Sequence, residues 1–287
     1  MEDKQVCKSN ALVEASYRLS LYEQRIILAC IAQVRRDTPL TDEEFYSVSA
    51  QQIAEMTGTR LATAYQNLKA ASEKLFERRV TIRRAPNGGG PRDRVTRWVQ
   101  TVDYLNNEGA VALRFGKDIV PYLAQLTEQF TRYALADVAK MTSAYAIRLY
   151  ELLAQWRSEG ERIVEISWLR EALQLEDKFK PIGDLKRWVI EPAAAQINEI
   201  SPLWVQWEQR KTGRKVTHIV FRFGEKLESK STLPKPSKRA ESTAPKLSLP
   251  KAYVEQHKGA DEGLAEADQR LLFEIRTGRR EPPQRTV

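Results

Sequence analysis

The sequence has few residues of the kinds that form cross-links, metal sites or membrane spans. Its 287 residues include only two cysteines, Cys7 and Cys30, and two histidines, His218 and His257. The cysteines form no CxxC pair and have no histidine nearby, which argues against a disulfide framework or a zinc site. The longest strongly apolar run, residues 26–32, is far shorter than the roughly 20 residues that a membrane-spanning helix needs.

Signals for export and for catalysis are also missing. The N-terminal MEDKQVCKSN is polar and lacks the apolar core of a secretion signal, so we expect a soluble protein of the reducing cytoplasm. No GxxxxGK[ST] nucleotide loop occurs, because the run Gly88–Gly90 has no lysine and serine after it. The two histidines lie too far apart in sequence to suggest the metal site of a DNA-nicking enzyme. We therefore expect no enzyme activity, no metal and no cofactor.

Positive charge is plentiful. The chain carries a formal net charge of +8 and has an isoelectric point of about 9.4, which favours nucleic acid or another anionic surface as a partner. Hydrophobic residues make up 42% of the chain and six tryptophans are present, enough for a substantial core. The length suits two domains of ordinary size or a single large one.

The first half contains a helix-turn-helix pattern. Capping boxes, Ser20 with Glu23 and Ser49 with Gln52, predict two helix starts. The helix after Ser49 is short, Gly58 interrupts it, and a longer helix follows. One side of that longer helix is predicted to be apolar, lined by Leu61, Tyr65, Leu68, Ala71 and Leu75.

A basic β-hairpin is predicted directly after these helices. The segment VTIRRA leads through PNGGGPRD into RVTRWVQTVDYL, and residues 78–97 contain seven arginines and one aspartate. A helix-turn-helix followed by a basic hairpin is the order of a winged helix. The candidate DNA contacts of the first half are on the longer helix and this hairpin: Arg60, Thr63, Gln66, Asn67, Lys69, Arg83, Arg84, Arg92, Arg94 and Arg97. A solvated helix face, and dimer or solvent contacts of the hairpin, are the alternatives.

The second half repeats the order of helix, short helix, long helix and basic hairpin. The segment IGDLKRWVIEPAAAQINEI predicts the long helix over residues 182–200, and Pro192 should cost it a hydrogen bond and kink it. In the hairpin WEQRKTGRKVTHIVFRF, alternation places Ile219, Phe221 and Phe223 toward the core. Its tip, turning at Gly213, then exposes four cations: Arg210, Lys211, Arg214 and Lys215.

Three blocks of sequence resemble the tandem winged-helix initiators of iteron-controlled plasmid replication. They are KSNALVEASYRLSLYEQRIILACIAQV, YALADVAKMTSAYAIRLYELLAQW, and FKPIGDLKRWVIEPAAAQINEISPLWVQWEQRKTGRKVTHIVFRF. They occur in the family's order and cover about residues 8–224. The resemblance implies two winged-helix domains of class α+β, the first over residues 1–130 and the second over 131–226.

The resemblance also implies a function and partners. Monomers of such proteins bind direct repeats (iterons) of double-stranded DNA at an origin, and dimers, formed mainly through the first domain, bind an inverted repeat and repress their own gene. Host DnaA, the replicative helicase and chaperones are the further partners that it implies. A winged-helix transcriptional repressor with no role in replication stays open as the alternative, because DNA binding would look the same.

Residue by residue, the resemblance assigns the main DNA contacts to the second domain. Lys180, Lys186 and Arg187 match basic positions at the front of its long helix, and Lys211, Arg214 and Lys215 match its hairpin. Arg187 is the best candidate for a base contact, because arginine reads guanine with two hydrogen bonds. At Trp188, where related proteins often carry a cation, both core packing and base readout stay open.

The last part of the chain differs in composition. Its SKSTLPKPSKRAESTAPKLSLPK contains four prolines, six cations and one anion. Such a segment cannot bury enough apolar surface to fold, so residues 227–287 are predicted to form a disordered linker and tail.

Overall fold

The computed structural model describes residues 4–35, 41–226, 255–257 and 271. The prediction of a disordered tail over 227–287 therefore lies outside the described residues, apart from 255–257 and 271. Residues up to 228 form one unit of the chain, and the account below concerns that unit.

The first half combines short strands with helices. Its strands are β1 (Gln5–Ser9), β2 (Ser16–Tyr17), β3 (Tyr46–Ser49), β4 (Arg79–Arg84), β5 (Pro91–Arg97), β6 (Val99–Leu105), β7 (Ala110–Phe115) and β8 (Phe130–Ala134). Its helices are α1 (Asn10–Val13), α2 (Leu21–Ile31), α3 (Ala50–Thr57), α4 (Leu61–Leu75) and α5 (Ala136–Ala139), with 3-10 turns at Asn106–Glu108 and Val120–Tyr122.

The second half is built in the same way. Its elements are α6 (Ala144–Ala154), β9 (Glu161–Glu165), α7 (Ile166–Ala172), α8 (Ile182–Leu185), a π-helical turn (Lys186–Ile190), α9 (Glu191–Ile200), β10 (Leu203–Thr212) and β11 (Lys215–Glu225). The turn joins α8 to α9, so the three segments form one continuous helix, here called helix 182–200. Its bounds are those predicted from the sequence.

Both predicted capping boxes are present. The hydroxyl of Ser20 accepts from the backbone N–H of Glu23, and the Glu23 carboxylate accepts from the N–H of Ser20 at 2.7 Å. Ser49 and Gln52 make the same reciprocal pair at the start of α3. Gly58 ends α3 in the left-handed region, with φ of 71°, which glycine adopts without steric cost.

The apolar face of α4 differs from the prediction at two positions. Leu68, Ala71 and Leu75 are buried as expected, but Leu61 and Tyr65 are 51% and 38% exposed. Ala64 faces the core in their place. The buried face follows residues 64, 68, 71 and 75, a stripe that runs along the helix with its usual period of 3.6 residues.

A buried polar cluster links the two halves. Lys8 of β1 forms an ion pair with Glu151 of α6, and both side chains are shielded from solvent. The guanidinium of Arg148, one turn earlier on α6, donates to the carbonyls of Val13 and Ala15 at 2.9 Å each. Because β1 also pairs with β8 and α6 opens the second half, this cluster joins the N-terminal segment to both halves.

The predicted boundary between domains at 130/131 falls at the first residues of β8. That strand pairs along its whole length with β1, from Gln5 opposite Ala134 to Ser9 opposite Phe130. The apolar core is continuous through residues 6–223 and contains side chains from both halves. The position of the boundary stays a prediction.

Candidate nucleic-acid interface

The two halves share one strand topology. In the first half the sheet has the order β3-β7-β6, with α3 and α4 between β3 and β6 in the chain. In the second half the order is β9-β11-β10, with α7 and helix 182–200 in the corresponding place. Each half is therefore a winged helix, in which the last two strands form the hairpin called the wing.

This topology changes the assignment of the first wing. The counterpart of hairpin β10–β11 is β6–β7, whose tip has the sequence NNEG, and not the basic hairpin β4–β5. Hairpin β4–β5 is an addition between α4 and β6, and it pairs with β2 instead. The prediction that the basic hairpin is the first wing was wrong. That hairpin follows α4 directly in sequence, whereas the pairing of β3 with β7, which identifies the wing, spans some 60 residues.

The added basic hairpin is largely engaged within the protein. Arg83 pairs with Asp93 at 2.8 Å and with Glu171 of α7 at 2.7 Å. Other predicted contacts form ion pairs as well: Arg94 with Asp118, and Arg97 with Glu77 at 3.3 Å. Arg84 and Arg92 are exposed and form no ion pair with a described residue. Through Arg83 and Glu171, the hairpin contacts the second half.

The predicted contacts on α4 lie at its surface. Arg60 is the N-cap residue, and the side chains of Thr63, Gln66 and Lys69 are exposed, while that of Asn67 is half-buried. They occupy the side of α4 away from Ala64 and Leu68. Such a polar, accessible face on the second helix of a helix-turn-helix suits contact with a DNA groove.

Helix 182–200 contains its π-helical turn because of Pro192. Proline has no N–H to donate to the carbonyl of Trp188, four residues earlier, and its ring crowds that carbonyl. The helix widens just before it, so that the N–H of Glu191 bonds to the carbonyl of Lys186, five residues back. The predicted kink is thus realised as one turn of different pitch, a feature frequently found at functional sites.

The front of helix 182–200 is open to solvent. Lys180 is exposed just before the helix begins, and Arg187 is exposed within the π turn without an ion pair to any described residue. Lys186 is half-buried, and its ammonium donates to the amide oxygen of Gln209 on β10 at 3.2 Å. This bond ties the helix to the hairpin, so the two elements form one surface.

Trp188 is not a core residue. Its side chain is 56% exposed, while its neighbours Val189 and Ile190 are buried. The guanidinium of Arg187 lies over the indole ring, 5.1 Å from its centroid. The sequence left this open, because residue 188 lies three positions after buried Leu185 and the π turn shifts the helical phase at that point.

The wing of the second half extends beyond its sheet. Strand β9 pairs with β11 only over His218–Arg222, so residues 211–217 form a two-stranded projection. The predicted core residues Ile219, Phe221 and Phe223 of β11 are buried. At the tip only Gly213 has a positive φ, 62°, as in type II′ hairpins.

The tip carries the four predicted cations. All of them are exposed and none forms an ion pair within the described part of the chain: Arg210, Lys211, Arg214 and Lys215. By contrast, Arg222 nearer the sheet is paired with Glu161 at 3.0 Å and Glu208 at 2.7 Å. The tip residues 210–215, here called the cationic wing, are therefore available to an external anion.

The described part of the chain offers neither a metal-binding cluster nor a membrane-spanning helix. Among them no group of three or more histidine, cysteine, aspartate or glutamate side chains could hold a metal ion. His218 is half-buried and its Nδ1 lies 2.9 Å from the hydroxyl of Thr217. Within residues 4–35 and 41–226, no helix is both long and apolar enough to cross a bilayer.

Comparison with protein families gives two matches that follow the two halves. A model described as Initiator Replication protein, WH1 matches residues 5–154. The chain belongs to this family of replication initiators. A model described as Initiator Rep protein, WH2 matches residues 165–223, which contain helix 182–200 and the cationic wing. The resemblance drawn from the three sequence blocks is thereby confirmed.

Individual relatives agree with this membership. An "Uncharacterized 27.6 kDa protein" of Escherichia coli is 30% identical over 224 residues, which are 75% of this chain and 93% of that protein. A "Replication initiation protein" of Escherichia coli is 27% identical over 228 residues, covering 77% of this chain and 70% of that protein.

A solved structure shares the fold. It is described as the Pi initiator protein in complex with iteron DNA, and it matches with a TM-score of 0.65 at 20% identity. The match covers 78% of this chain and 98% of that one. The expected α+β fold of two tandem winged helices is thus confirmed.

Proposed function

We propose that the protein binds specific sequences of double-stranded DNA at the repeated sites of a plasmid origin and there initiates replication. The observation that carries this proposal is the surface formed by the cationic wing and the exposed front of helix 182–200. Cations that form no ion pair with a described residue stand beside an accessible helix, and the bond from Lys186 to Gln209 holds the two together.

Phosphates and bases have separate roles in this proposal. The cationic wing binds phosphates, which gives affinity that depends on salt but not on sequence. Arg187 reads a base in the major groove, with Lys180 and Lys186 placed beside the flanking backbone. The polar face of α4 reads the adjoining part of the site, so one monomer covers about two turns of DNA.

The descriptions of two relatives support the proposed role in replication. Relatives are described as a replication initiation protein and as an initiator in complex with iteron DNA. Several monomers on direct repeats would strain the duplex and help to melt the neighbouring DNA, with binding rather than hydrolysis supplying the energy. Dimers would occupy an inverted repeat and repress the gene, and host DnaA, helicase and chaperones would act on the bound or dimeric forms.

A selection of bound sequences from random duplex DNA, with the full chain at physiological salt, tests the proposal. We expect one enriched motif of about two helical turns, present as tandem copies near the gene. Plasmids with and without those copies then show whether maintenance depends on them. An enriched motif present only as a lone inverted repeat would indicate a plain repressor. No enrichment at all would contradict sequence-specific binding.

A further inference from the structure

The indole of Trp188 is exposed on the surface of helix 182–200. Of the tryptophans in the described residues, Trp188 has the most exposed side chain. Its exposed fraction is 56%, against 39% for Trp156 and Trp204. It lies in the π turn of helix 182–200, directly beside Arg187 and before buried Val189. A large apolar side chain on the proposed DNA-facing surface is a candidate for contact with an apolar group of DNA.

Among the base edges of the major groove, one group is apolar. Guanine, cytosine and adenine present hydrogen-bond donors and acceptors there, while thymine adds a C5-methyl group. An indole ring is uncharged, and packing it on such a methyl group removes apolar surface of both from water, which is favourable. A cation at the same position would instead favour a phosphate or a guanine. Trp188 therefore suits a thymine.

The neighbouring arginine supports this reading. Its guanidinium lies over the indole, 5.1 Å from the ring centroid, so the two side chains form one stacked unit. The stack restricts the arginine and leaves the remaining indole surface to face outward. A guanine bound by Arg187 and a thymine contacted by Trp188 would belong to neighbouring base pairs of one site.

We propose that Trp188 determines specificity by packing on the methyl group of a thymine in the part of the site contacted by the second domain. This rests on the proposed function, because it requires that helix 182–200 enters a major groove. It adds a base preference that depends on shape and apolar contact rather than on charge.

The test uses deoxyuridine, which differs from thymidine only by the missing methyl group. In the selected duplex, each thymine is replaced singly and the affinity of the full chain is measured. We expect one position at which the wild-type protein binds about three- to tenfold more weakly, the size of loss expected when roughly one buried methyl group is removed. Trp188→Ala should bind the thymine site more weakly and show no further loss with deoxyuridine.

Two variants make the result specific to this side chain. Trp188→Phe keeps an apolar ring and should keep the sensitivity to deoxyuridine. Trp204→Ala removes an exposed tryptophan on β10, in the same half of the chain, and should also keep the sensitivity to deoxyuridine. Because Trp188 is exposed, its replacement should leave the melting temperature unchanged.

The possible failures are distinct. If the wild-type protein selects a motif but no thymine in it is sensitive to loss of the methyl group, the proposal for Trp188 is wrong while the proposed function stands. The proposal is equally wrong if Trp188→Ala keeps the full loss, which a double-mutant cycle would show as additive effects. If the protein selects no motif, the proposed function itself fails.

Discussion

Lys8 and Glu151 form an ion pair in which the side chains are 1% and 0% exposed, although 143 positions separate them in sequence. Arg148 adds a second cation next to the carboxylate, at 3.4 Å. Burial alone would raise the pKa of Glu151, but the charges of Lys8 and Arg148 outweigh it, so this pKa lies below its ordinary range. The pair keeps the N-terminal strand attached to the first helix of the second half.

Loss of this carboxylate should destabilise the whole unit. Glu151→Ala leaves the ammonium of Lys8 buried without its partner, and removal of one member of a buried pair typically costs about 3–5 kcal/mol. Urea unfolding of both proteins measures the difference. Glu176→Ala, at an exposed position with no ion pair to a described residue, is the control and should change the free energy of unfolding by less than about 0.5 kcal/mol.

The same group should contribute to the loss of stability in acid. Because the pKa of Glu151 is lower in the folded than in the unfolded state, the unfolded chain takes up a proton first as the pH falls. The stabilisation is complete above the unfolded value, about 4.3, and is lost as the pH falls through the folded one. Unfolding free energies of the wild type and Glu151→Gln, measured from about pH 7 to pH 3, should converge in acid. If the two curves of unfolding free energy against pH stay parallel, Glu151 does not contribute to the loss of stability in acid.

Removal of a charge from the cationic wing should act on all DNA sequences alike. Lys211→Gln should weaken binding to specific and random duplexes to a similar degree and reduce the slope of log affinity against log salt by about one unit. Lys211→Arg keeps the charge and should keep the slope. A loss confined to one base pair would contradict a phosphate contact.

Replacement of Arg187, unlike that of Lys211, should change which DNA sequence the protein prefers. Arg187→Ala should cost about 1–3 kcal/mol of specific binding and relax the preference at one base pair. Arg187→Lys keeps the charge but not the paired donors, so it should recover binding to random DNA and not the preference. Competition binding with a substituted site checks this, and an unchanged preference in Arg187→Ala would remove the residue from base readout.

The π turn should matter for binding more than for folding. With Pro192→Ala the missing N–H returns, the carbonyl of Trp188 gains a donor, and the helix can resume its ordinary pitch. Arg187 would then rotate relative to α9, and we expect about tenfold weaker specific binding, the loss of one base contact, without loss of thermal stability. Pro202→Ala, in the loop before β10, serves as control and should bind normally. A Pro192→Ala protein with wild-type affinity would show that the π turn does not position Arg187.

The sequence predicted those features that depend on local patterns. Helix 182–200 was predicted to its bounds, and the alternation in β11 identified Ile219, Phe221 and Phe223 as core residues. Capping boxes at Ser20 and Ser49 marked helix starts because their hydrogen bonds span only three residues.

Features that depend on distant parts of the chain were not predictable. The pairing of β3 with β7 sets the first wing, and no local pattern shows it. The ion pair of Arg83, a candidate DNA contact in the sequence, could not be predicted because its partner Glu171 lies 88 positions away. On α4, Leu61 and Tyr65 were predicted to face the core because they are apolar, but they are exposed. The small residue Ala64 faces the core at that end of the helix instead.

The unequal charge of the two wing tips has a consequence for the order of events when the protein meets DNA. Long-range attraction acts first on exposed cations. Four that form no ion pair with a described residue lie at residues 210–215, while the tip of β6–β7 carries Glu108 and no cation. We therefore expect the second half to make the first encounter and to set the orientation. The first half would dock afterwards, over a shorter distance and with less dependence on ionic strength.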